Sequence, residues 1–176
     1  MEGVAMDKDN EVVVRPLRGA PEIDRAYGAI DYEFQAFLRT GVLFLQVPDE
    51  NQFENSLMHA RLIIQFLGPL TSKTSVDDIK PIDFGVDGDF WGEHAQWFRR
   101  ISGIIDKHLA HLTWARAGTG NGKPQGLLIV ELLENLYPKM VAFAEALENC
   151  RPERRGTLRT MLEALSPAQT IGEVRQ

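Results

Sequence analysis

Three of the four histidines in this chain, His59, His108 and His111, fall where helical spacing turns them toward a core. Imidazole changes charge near neutral pH, and its two nitrogens can donate, accept or bind a metal. At about 100° per residue, His59 lies inside the apolar arc of a helix that starts at 48–51 and runs to Leu67. His108 shares an apolar stripe that begins near Asp89, and His111 sits at the edge of that stripe. His108 and His111 are three apart, so their rings emerge a turn apart on one face and can converge on a common atom. His59 would approach from the facing helix, with Asp77, Asp78 and Asp83 of the intervening loop closing over the group. His94 stays outside, since the 14 residues between it and His108 amount to roughly 20 Å along a helix.

Such a cluster admits three roles. Buried histidines serve structure when carboxylates or backbone carbonyls satisfy them and tie the loop to the helices. As a general acid or base, His59, His108 or His111 would move a proton while Arg116 stabilises an anion. As a metal site, two or three of the histidines would join one loop aspartate, because HxxH on a helix suits a divalent ion. All three stay open at the level of the residues, and nothing in the pattern names a cofactor.

The elements that must position these side chains are helices. From Pro21 onward Ile23, Tyr27, Ile30, Phe34 and Phe37 recur at three- and four-residue steps, which predicts a first helix ending near Gly41. The VLFLQV that follows has the composition of a strand but no convincing partner, so it reads as more helix or as a buried connector. Gly68 and Pro69 stop the second helix. Residues 70–88 are rich in Ser, Thr, Asp, Pro and Gly and read as a long loop, with at most one helical turn at VDDI. A third helix, capped by Asp89, carries Trp97, Phe98, Ile101, Ile105 and Leu109 on one stripe until the AGTGNGKP turn breaks it. The fourth covers about 125–149 and should kink or break at Pro138, which lacks an amide and clashes with the preceding turn. A shorter fifth lies near 152–165. The expected fold is all-α, an antiparallel bundle of four or five helices over 21–166 with a long loop between helices two and three. Residues 1–20 would form an extended or partly disordered arm, and 167–176 a polar tail.

Composition bounds the partners. A chain of 176 residues, 44% hydrophobic, suits one domain with a continuous core. A net charge of −6 gives no global attraction to phosphate backbones or anionic lipid. The local cluster Arg151, Arg154, Arg155 and Arg159 reads as a solvated helix face in preference to a contact for RNA or an acidic partner. Cys150 is the single cysteine, which excludes an intrachain disulfide and a thiolate-rich zinc site and points to a reducing compartment. No run approaches the ~18 consecutive apolar residues of a membrane span. The first residues also lack a basic stretch followed by an apolar one, so a cytoplasmic location without a membrane partner is expected. GTGNGK is not a phosphate loop, because Ala117 and Pro124 stand where Gly and Ser or Thr are needed. Trp114 falls off the apolar stripe and reads as a subunit contact or as packing under the 117–124 turn.

LMHARLIIQFL, the DDI..IDF loop and IDKHLAHLTWAR together resemble a group of uncharacterised bacterial helical proteins, and more distantly the HEPN superfamily. The likeness covers roughly residues 50–117. It implies a dimeric helical bundle, either a divergent ribonuclease or a non-catalytic member of a toxin–antitoxin or defence system, with RNA or a protein as partner. His111 matches the histidine of the superfamily's nuclease motif, but Asp106 and Lys107 stand where arginine and a polar residue such as asparagine are expected. An aspartate there would repel the phosphate that the arginine stabilises. The rival class is a metal-dependent or acid–base enzyme acting on a small molecule through His59, His108, His111 and a loop aspartate.

Overall fold

Apolar periodicity and the chemistry of helix ends set the elements. The computed structural model describes residues 3–6, 12–15, 18–69, 74–75, 77–110, 125–154 and 156–174. Helix α1 (Ala20–Gln46) opens where the Glu22 carboxylate accepts the Gly19 amide at 2.8 Å, with Pro21 in its first turn. It does not end at Gly41. The next residues continue the helix because Phe44 lands on the buried face already carrying Phe37 and Gly41. Helix α2 (Glu50–Leu67) starts on Asp49, whose Oδ1 accepts the amides of Asn51 and Gln52 at 2.9 and 3.1 Å. Asp89 likewise accepts the amides of Trp91 and Gly92 and opens a short 3₁₀ turn, Gly92–His94, that leads into α3 (Ala95–Ala110).

Helix α4 (Gln125–Cys150) runs through Pro138 without a break. Leu133, Leu136 and Met140, on either side of the proline, are buried in one core and hold both halves of the helix there. Beyond it come α5 (Thr157–Ala164) and α6 (Ala168–Val174). The stretch expected to be a polar tail is therefore helical: α6 packs on α1 and buries Ile171. Within the expected N-terminal arm, β1 (Gly3–Met6) and β2 (Val12–Arg15) form an antiparallel hairpin pairing Gly3 with Arg15 and Met6 with Val12. The helical turn of the long loop forms at Pro81–Phe84, not at VDDI, where Asp78 closes a single turn onto the Ser75 carbonyl. Gly85, with φ of 79°, ends the Pro81–Phe84 turn in the left-handed conformation that favours glycine.

The architecture is an all-α bundle. Helix α2 packs against α1, α3 and α4; α1 also meets α4, α5 and α6. At its centre Phe34, Phe66, Phe84, Phe90 and Phe143 make edge-to-face contacts, one ring from each of five separate segments. Where α1 crosses α4, a Cβ on Gly41 would lie 3.3 Å from Leu133 Cδ2 and 3.5 Å from Ile129 Cγ2. Glycine allows this approach, so the branched Gly41→Val should lower stability by about 1–3 kcal/mol through overpacking. Chemical denaturation reads this out, and a midpoint equal to that of the wild type would refute the close-contact role.

Candidate functional site

His59 faces α1. Its Nδ1 lies 2.7 Å from Glu33 Oε2, and the Tyr32 ring meets the imidazole edge-on with centroids 5.8 Å apart. The histidine is buried, while Tyr32 is 61% exposed. An ionised carboxylate at Nδ1 selects the tautomer with the proton on that nitrogen and leaves Nε2 as the acceptor. Such a pair fixes both the ring and its polarity, a prerequisite for directed proton transfer.

One turn further along α2, Leu62 and Ile63 enter a groove of ≈ 560 Å³ between α1 and α2, bordered by residues of the long loop. Ile30, Phe34, Ile63, Phe66 and Phe98 make its apolar lining. Glu33, Asp77, Asp78 and Lys80 contribute the charged groups. A cleft of this size, mostly apolar with a few polar groups, has the proportions of a small-molecule site.

Lys80 is only 6% exposed, and its charge is already engaged. Its ammonium donates to the carbonyls of Gln65 and Gly68 at the C-terminal end of α2. Those carbonyls have no partner within the helix, and the negative end of the helix dipole favours a cation beside them. Lys80 thus staples the loop to α2.

Of the other expected residues, those described do not join His59. The His108 ring packs edge-on to Phe53, with centroids 5.7 Å apart. Phe53 and His59 are separated by roughly 9 Å along α2 and about 120° around it, so the two imidazoles are held on different faces of that helix. The Asp78 carboxylate accepts the Ser75 amide at 2.9 Å. Asp83 accepts the Lys80 amide at 2.8 Å and lines a different groove, with Arg18 just ahead of α1 and Arg25 on it. His111 and Arg116 lie outside the described residues, as do Trp114 and the 117–124 turn. Among the described residues, no set of three His, Cys, Asp or Glu is arranged to hold a metal ion.

Two further expectations meet their neighbours here. Asp106, at the place of the motif arginine, pairs with Arg61 Nε at 2.9 Å and ties α3 to α2. In the basic cluster, Arg159 pairs with Glu163 of its own helix and Arg151 donates to the Phe84 carbonyl. Nearby, burial raises the Tyr27 phenol above its ordinary value, the Asp31 charge adds to the effect, and a hydrogen bond with Thr157 opposes it.

Glu33 and Lys80 are the members of the site that the hydropathy pattern did not single out. For Glu33 a signal existed: counting back from the 47–49 turn of an antiparallel helix pair brings His59 within about one turn of it. Lys80 carried none, being one polar residue in a loop. Among the described residues no helix is long and apolar enough to cross a membrane. No family model, curated protein or solved structure matches the chain.

Proposed function

We propose that the chain is an acid–base enzyme acting on a small molecule in the α1–α2 groove, with His59 as the proton-transferring group and Glu33 as the carboxylate that orients it. The 2.7 Å contact between His59 Nδ1 and Glu33 Oε2 carries this reading: Glu33 lines the groove, and His59, which is not itself a lining residue, adjoins it through that carboxylate. A proton taken from substrate at Nε2 would leave an imidazolium, which the Glu33 carboxylate stabilises without itself being protonated. His108, Asp78 and Asp83 have structural parts in this scheme, and no metal is needed for it.

The ribonuclease form of the HEPN-like reading has less support, because Asp106 stands at the arginine position and is committed to Arg61. That ion pair favours, as a second reading, a non-catalytic HEPN-like member, dimeric and acting through an RNA or protein partner.

Ligand-observed NMR with a panel of metabolites, followed by turnover assays on every binder, separates these readings. The acid–base enzyme should turn over at least one binder, with the activity lost in His59→Gln and its pH profile displaced in Glu33→Gln. Turnover that survives His59→Gln, or binding with no turnover of any metabolite, would remove the proposal. Cleavage of mixed RNA by wild type but not by His111→Ala would establish the nuclease in its place.

A further inference from the structure

We infer that the Tyr32 ring is a movable cover over His59, narrowing the way to Nε2 at rest and turning aside to admit a substrate. Its purpose rests on the acid–base reading above, whereas its position follows from the contacts of the imidazole.

His59 is buried as a residue, yet one of its nitrogens is neither bonded nor sealed. Nδ1 is held at 2.7 Å by Glu33, so Nε2 is turned away from that carboxylate. Among the described residues none hydrogen-bonds Nε2, and that nitrogen keeps a small contact with solvent. With the proton fixed on Nδ1, the free lone pair at Nε2 can take a proton from whatever reaches it. Reaching it is the difficulty, because the residue is only 7% exposed.

Two successive residues of α1 attend the same imidazole. Glu33 bonds Nδ1, and the Tyr32 ring meets the imidazole edge-on, with centroids 5.8 Å apart and planes at 79°. They differ in freedom. The Glu33 side chain is largely buried and tied to the histidine. Tyr32 is 61% exposed, and His59 is the ring it touches among the described residues. Turning Tyr32 to another staggered rotamer therefore gives up one edge-to-face contact and leaves both the Glu33 pair and the core in place. Exposed side chains make such changes within nanoseconds, far faster than ordinary turnover. A cover of this kind shields the imidazole without requiring any helix to move.

Diethyl pyrocarbonate acylates an unprotonated imidazole nitrogen at a rate set by its accessibility, and peptide mass mapping resolves His59 from the other histidines. In the full chain at pH 7, Tyr32→Ala should speed modification of His59 about three- to tenfold, as expected for the loss of one edge-to-face contact. Tyr32→Phe keeps the ring and should react like the wild type. His108, packed on Phe53 on another face of α2, reports general loosening and should keep its rate in both variants. An unchanged His59 rate in Tyr32→Ala, an equal rise in Tyr32→Phe, or a parallel rise at His108 would each overturn the cover. None of these rates depends on turnover. A protein inert toward every metabolite would thus remove the acid–base reading, while His59 reactivity separately decides whether the Tyr32 ring shields it.

Discussion

Phe143→Ala should lower the free energy of unfolding by about 3–5 kcal/mol, the range for removing a buried phenylalanine. Phe143 is 1% exposed on α4, and its ring meets Phe34 of α1, Phe66 of α2, Phe84 of the Pro81–Phe84 turn and Phe90 ahead of α3. The nearest pair, with Phe66, has centroids 4.9 Å apart and planes at 87°, the edge-to-face arrangement that the ring quadrupoles favour. One truncation therefore removes the transfer energy of the ring, opens a void between helices, and breaks four aromatic contacts. The void is hard to fill because its walls belong to four segments that would have to move together. Against a typical total stability of about 5–15 kcal/mol, the loss is a large fraction. Urea denaturation measures it, with Leu127→Ala, on an exposed position of the same helix, as the control expected to stay within about 0.5 kcal/mol. A loss below 1 kcal/mol for Phe143→Ala would mean that the aromatic cluster does not organise the core.

Lys80→Met carries the second large effect. Methionine keeps much of the apolar stem but deletes the ammonium that donates to the Gln65 and Gly68 carbonyls. Two opposing quantities decide the outcome. Removing a charge that is nearly out of water relieves a desolvation cost. The carbonyls, however, lose a charged donor, and hydrogen bonds to charged groups are worth about 1.5–3 kcal/mol each. Since the lysine has both carbonyls and the helix dipole in its favour, the loss should win, and stability should fall by about 1.5–3 kcal/mol. Amide exchange should quicken in the last turn of α2, near Phe66 and Leu67, more than in its first turn at Asn51 to Phe53. Unchanged stability, or exchange that rises uniformly along α2, would show that the ammonium does not cap this helix.

Both expectations bear on the site as well as on the fold. Phe66 and Phe34 belong at once to the aromatic core and to the groove lining, so groove shape depends on core packing. Lys80 holds the loop that brings Asp77 and Asp78 to the groove. Loosening either should weaken ligand binding without touching the Glu33–His59 pair.

The residue pattern alone determined which way most side chains point within their own helices. Periodicity near 3.6 located α2, α3 and α4, and His59 was marked as facing a neighbour because its arc was otherwise apolar; Asp89, expected to cap α3, caps instead the 3₁₀ turn ahead of it, and α3 starts at Ala95. Local chemistry misjudged ends where distant packing prevails. Gly41 has the profile of a stop, yet its missing side chain is what lets α1 lie against Leu133 and Ile129, and α1 continues past it. The segment from Ala168 has too little apolar surface to signal a helix by itself, but burying Ile171 beside α1 suffices to dock one. Only the tertiary structure decided what each functional group meets. His59 found Glu33 on α1 in place of the loop aspartates, His108 was turned onto Phe53, and Lys80 reached back to the end of α2. The direction of a side chain follows from backbone geometry a few residues long, whereas its partner follows from how the whole chain crosses over itself.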